Sequence, residues 1–143
     1  MKFWVQLTTE TDEEGTLWHN AYTPDFKTMT QGRDLEECRK MALDLLYCHL
    51  EDRLPEARAR KPRGPGWEQI EVTQSAMLAL SLKRERKRQG KTMKEVADSL
   101  GVGISTYQKW ENPYTFNATV QALEKVAQAL GMQLQVSLAA KVA

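Results

Sequence analysis

The 143-residue sequence predicts an α+β chain: a small antiparallel sheet with one packed helix, then an all-helical domain that ends in a β-strand. Three observations carry that reading. Apolar residues alternate at period two near both ends, as Phe3, Val5, Leu7 and as Leu134, Val136, Leu138. Helical stretches open on Asp34 and Thr92, each followed three positions later by a glutamate, Glu37 and Glu95, the pattern of a capping box. The charge also divides. A formal net charge of +1 conceals 6 basic against 12 acidic residues in 1–57 and 14 against 7 in 58–143, an acidic front of −6 joined to a basic back of +7.

In the front module, residues 1–9 set Phe3, Val5 and Leu7 against Trp4, Gln6 and Thr8, which predicts a strand with one covered face. Residues 10–14 and Gly15 form an acidic turn, and residues 16–23 are the return strand of a hairpin. Its register stays open: either Leu17, His19 and Ala21 or Trp18, Asn20 and Tyr22 face inward. Pro24 and Asp25 turn the chain again, and residues 27–31 are a weaker third strand. Asp34 then caps a helix whose stripe Leu35, Cys38, Ala42, Leu45, Leu46 and His49 packs it on the sheet, ending before Pro55.

Residues 55–66 hold three prolines, two glycines and Arg58, Arg60, Lys61 and Arg63, with no apolar side chain larger than alanine, the composition of a solvated linker. Residues 67–72 are a short strand able to re-enter the first domain. The expected organisation is therefore an acidic sheet-and-helix domain at 1–57, a basic linker with a short strand at 58–74, and a helical domain at 75–143. No run of about 18 apolar residues exists to span a membrane, and the N-terminus lacks the basic stub and apolar block of a signal peptide, so a cytoplasmic protein is expected. Cys38 and Cys48 lie ten residues apart on one expected helix, roughly 15 Å along its axis, too far to bridge. They read as buried or half-buried thiols. With His19 and His49 they show no metal-ligand spacing, and no cofactor or metal is expected.

Four helices are expected in the back: 76–89 ending at Gly90, 92–100, 104–111, and 119–130 ending at Gly131. Within residues 93–112 Ala97 is small where two helices cross, Gly101 permits a left-handed turn, and Val102, Tyr107 and Trp110 bury the second helix of the pair. With VADSLGVGISTYQKWEN at its centre and VQALEKVAQALG after it, this region resembles the Cro/repressor-type (Xre) helix-turn-helix. The resemblance implies that residues 104–111 enter the major groove, with Ile104, Ser105, Gln108 and Lys109 toward base edges. It further implies an ion pair between Arg86 and Glu111 that braces the motif and leaves Arg86 near phosphate; helical phase agrees, since Arg86 lies toward the Leu78, Ala79, Leu82 face. The basic run at 83–94 supplies the remaining expected phosphate contacts, Arg84, Lys87, Arg88 and Lys94, with Asn112 beyond the reading helix.

The front module has its own resemblance. Strand, acidic turn, strand, Pro24-Asp25 and then TQGRDLEEC at 30–38 resemble the HicB antitoxin family, although Phe26-Lys27-Thr28-Met29 follows the Pro-Asp where that family often has Leu-Pro-Gly-Cys. The family implies a partial RNase H-like domain that sequesters a small RNA-cleaving HicA toxin, beside a DNA-binding domain that represses the shared operon. A net charge of −6 suits a basic partner, and Trp4, Trp18, Tyr22 and Asp25 are the candidate contacts. The carboxylates Asp12, Asp25, Asp34 and Glu37 could in principle hold catalytic metal ions, but capping and turn roles account for them, so no enzyme is expected. Leu134, Val136 and Leu138 offer a strand for dimerisation. The expected function is thus a dimeric HicB-like antitoxin and autorepressor binding a toxin and operator DNA; the alternative is a stand-alone Xre-type regulator whose front domain binds a ligand or another protein.

Overall fold

The computed structural model describes residues 1–142, and begins with the expected hairpin. Strands β1 (Lys2–Thr11), β2 (Leu17–Thr23) and β3 (Thr28–Gly32) precede helix α1 (Leu35–Leu50) and strand β4 (Trp67–Glu71). The four strands form one antiparallel sheet in the order β3-β2-β1-β4. Asp12 organises the acidic turn: Oδ1 accepts from the Glu14 and Thr16 amides at 3.0 and 2.8 Å, and Oδ2 from the Trp18 indole N–H at 2.9 Å.

Pairing resolves the open register. Ala21 lies opposite Leu7 and beside Thr30, so it shares the helix-covered face with Val5, Cys38 and Ala42. Trp18, Asn20 and Tyr22 point the other way. Asp34 caps α1 by accepting from the Glu37 amide at 2.8 Å, while the Glu37 carboxylate reaches back to the Arg33 amide rather than to Asp34. Cys38 is buried in this layer, whereas Cys48 is exposed, against the sequence reading, because its position on α1 turns away from the sheet.

The front module does not end at residue 57. Strand β4 pairs with β1 over Lys2–Gln6, and Val72 is fully buried in a core with Phe3, Phe26, Leu46, Leu50, Ala76 and Leu80. The intervening residues are pinned rather than free: Arg58 donates to Asp25 at 2.9 Å and lies over the Phe3 ring at 4.2 Å, and the Ala59 amide donates to Asp25 at 2.8 Å.

Helix α2 (Gln74–Arg88), capped by Thr73, starts two residues earlier than the sequence suggested. Its first half carries Ala76 and Leu80 into the sheet core, and its second half carries Leu82 into a second core with Val96, Ala97, Tyr107, Leu123, Val126 and Leu130. That second core is closed by α3 (Met93–Leu100), α4 (Ile104–Glu111) and α5 (Val120–Ala129). Gly101 ends α3 at φ +68°, the left-handed turn its sequence position required.

The expected terminal strand is not formed. Residues 132–142 make no ladder, since the sheet lies in the other module and a lone segment has nothing to pair its backbone with. Leu134 instead packs on the helical core, while Val136 and Leu138 stay exposed.

Gly32 sits where β3 meets α1, and a Cβ added there would stand 2.6 Å from the Cys38 backbone nitrogen. Gly32→Ala is expected to destabilise the chain by about 1–3 kcal/mol through this overlap. Chemical denaturation checks it; an unchanged midpoint would show that α1 can move off the sheet at no cost.

Candidate nucleic-acid interface

Helix α4 owes its position to what lies behind it. Tyr107 is fully buried, and burial, with the Glu111 carboxylate second, pushes its phenol above the ordinary range. Glu111, on the same face, is buried against Arg86 of α2, whose Nε donates to Oε2 at 2.7 Å and whose Nη2 donates to Oε1 at 2.9 Å. Arg86 Nη1 donates to the Lys91 carbonyl at 2.8 Å, so one guanidinium ties α2 to α4 and to the loop before α3. The hydrogen bonds to Glu111 hold the guanidinium charged in spite of its burial.

With that side committed inward, Ile104, Ser105, Gln108 and Lys109 are all exposed and occupy the outer surface of α4. Gly103 at its N-cap brings no side chain to the first free amides. Lys94 is exposed at the start of α3. Asn112 accepts from the Tyr114 amide at 2.9 Å and shapes the turn after the helix while remaining exposed.

The expected phosphate contacts fare unevenly. Arg86 is 8% exposed with its donors engaged, so it braces the motif and does not present a charge to phosphate. Arg84 is half-buried, donating to the Leu50 carbonyl at the end of α1, where an α-helix leaves its last carbonyls unpaired; it too is withdrawn from the surface. Lys87 donates to Asp52 at 2.6 Å and holds its carboxyl below the usual range, and Arg88 pairs with Glu85, whose carboxyl is lowered to about 2 chiefly by that arginine. Lys83, outside the candidate contacts, donates to Glu51 at 2.7 Å. These links to α1 were not legible in the sequence because they span 32 to 35 residues and depend on how α2 packs.

The sheet module presents a second surface. Trp4, Trp18 and Tyr22 share the face opposite α1, joined by Trp67, which lies opposite Gln6 on β4, and by Met29 on β3. Asp25 is not part of it: its side chain is 1% exposed and paired with Arg58, which corrects its assignment as a partner contact. Asp12 serves the turn and Asp34 the helix cap, and among the described residues no group of three His, Cys, Asp or Glu side chains is placed to hold a metal ion.

Two helices crossing at a left-handed glycine, the second braced from behind and polar in front, have the arrangement of a helix-turn-helix. In agreement, residues 82–136 match the helix-turn-helix family model HTH_3. Residues 82–136 thus form a helix-turn-helix domain of Cro/repressor type, which supports a DNA-binding regulatory function. No curated protein is found to match it. Among the described residues no helix is long and apolar enough to cross a membrane.

Glu111→Ala leaves the Arg86 guanidinium buried without its counter-charge and is expected to cost about 3–5 kcal/mol. The double replacement Arg86→Met/Glu111→Leu should recover most of that loss in urea denaturation. If Glu111→Ala alone is harmless, the pair is not what holds α4.

Proposed function

We propose that the chain is a transcriptional regulator that reads operator DNA as a dimer with α4 and uses its sheet module to dock a protein partner. The observation that carries it is the sorting of α4: Tyr107 and Glu111 are held inward, and Ile104, Ser105, Gln108 and Lys109 are left free together. Gln108 can pair bidentately with adenine, Lys109 with guanine or phosphate, Ser105 with either, and Ile104 with a thymine methyl. A single reading helix covers one half-site, which argues for two copies, and the exposed, alternating Val136 and Leu138 follow the helical core as a segment that could pair with a second chain.

The sheet module supports a second, more specific reading as a HicB-like antitoxin. An aromatic face with no helix over it, in a module of net acidic charge, suits a small basic protein such as a HicA-like RNA-cleaving toxin. In that reading Trp4, Trp18 and Tyr22 anchor the toxin, and DNA binding represses the operon that encodes both. An adjacent basic open reading frame whose toxicity this chain relieves on co-expression supports the antitoxin, and Trp18→Ala should weaken that relief. A chain that binds DNA but rescues no growth remains a regulator with another partner.

Binding-site selection from a random duplex pool tests the reading of DNA. Gln108→Ala is expected to lose about 1–3 kcal/mol of discrimination at one base position of each half-site, whereas Lys94→Ala should weaken binding evenly across sequences. A selected site indifferent to Gln108 would remove α4 from base reading. Deleting residues 133–143 is expected to convert the dimer to a monomer in light scattering, and a surviving dimer would place the interface elsewhere.

A further inference from the structure

The end of α1 and the basic face of α2 are joined by ion pairs of a different kind from Arg86–Glu111. Glu51 Oε2 is 2.7 Å from Lys83 Nζ, and Lys87 Nζ is 2.6 Å from Asp52 Oδ1 and 3.7 Å from Glu51 Oε1. These side chains are 27–63% exposed, against 10% and 2% for Arg86 and Glu111. Water-accessible pairs of this type are held weakly and exchange partners readily.

Their location matters. Lys83, Gln108 and Asn112 border one groove of about 520 Å³, whose opposite wall is α1 with Asp44, Tyr47 and Glu51. Tyr47 meets Tyr114, in the turn after α4, edge to face at 5.0 Å, which keeps α1 against this side of the reading head. Asp44 has no ion-pair partner among the described residues. Asp44 and Glu51 thus stand across this groove from Gln108 of α4, Glu51 pairs with Lys83 on the same groove, and Lys87, one turn along α2, is neutralised by Glu51 and Asp52.

We propose that the acidic end of α1 is an internal phosphate mimic that competes with the DNA backbone for Lys83 and Lys87 and so restrains DNA binding. This rests on the DNA-reading assignment of α4. Ala76 and Leu80 lock α2 into the sheet core, so the acids keep their place whether or not the lysines swing away. The restraint is therefore graded and set by salt.

The test uses the full chain, a random-sequence duplex and fluorescence anisotropy between about 50 and about 200 mM salt. Glu51→Gln/Asp52→Asn is expected to bind more tightly at the lower salt, with a log–log slope steeper by about 1.8, since each of two added phosphate contacts contributes about 0.9. Glu13→Gln/Glu14→Gln, with the same change in net charge in the distant β1–β2 turn, should leave the slope at the parent value. Asp44→Asn breaks no ion pair and should tighten binding without steepening it, which keeps a readout if the double variant folds poorly. An unchanged slope in the folded double variant, or equal steepening in the turn control, overturns the mimic while the parent still binds DNA. If no chain binds duplex, the DNA-reading assignment falls, and the inference with it.

Discussion

Helix α2 has to satisfy two cores at once, and most of the architecture follows from how its residues divide between them. Ala76 and Leu80 complete the sheet core, Leu82 enters the helical core, and Arg86, one turn further, becomes the buried anchor of α4. Fully burying one leucine contributes about 1.5–3 kcal/mol, so Leu80 and Leu82 give each module a comparable hold on the same rod. A helix of 15 residues that is buried at both ends transmits position. The sheet module and the reading helix are therefore set relative to one another by α2 and not by the Pro/Gly stretch that the composition marks as a boundary.

That stretch shows what composition can and cannot establish. Prolines and arginines at 55–66 correctly announce an absence of regular structure, but not freedom, because Asp25 reaches across 33 residues to hold Arg58. The elements legible in the sequence were those decided locally: the caps at Asp34 and Thr92, the left-handed turn at Gly101, and the alternation of Phe3, Val5 and Leu7. Arg86 and Glu111 were legible only through a family resemblance and helical phase. Which face of β2 points inward waited on pairing with β1, since period two fixes alternation but not direction. The terminal segment misled for the same reason. Its alternation is real, yet a strand is a property of two segments, and within one chain Leu134 gains more by packing on the helical core.

The difference between a formal and an available charge follows directly. Counting residues assigns the front module an acidic surplus for a partner and the back a basic surplus for DNA. The folded chain spends part of both internally: Asp25 on Arg58, Glu68 on Arg39, Glu51 and Asp52 on Lys83 and Lys87, and Glu111 on Arg86. What remains free is more localised than either total. On the acidic side it includes Glu13 and Glu14 in the β1–β2 turn and Asp44 beside the reading helix; on the basic side it includes Lys94 and Lys109 around α4. A field that reaches about 8–10 Å at physiological salt is shaped by these residues rather than by the net charge of a module. An approaching duplex would therefore meet a narrow positive patch around α4 with carboxylates along one flank. Its orientation on the helix would be set by that asymmetry before any base is read.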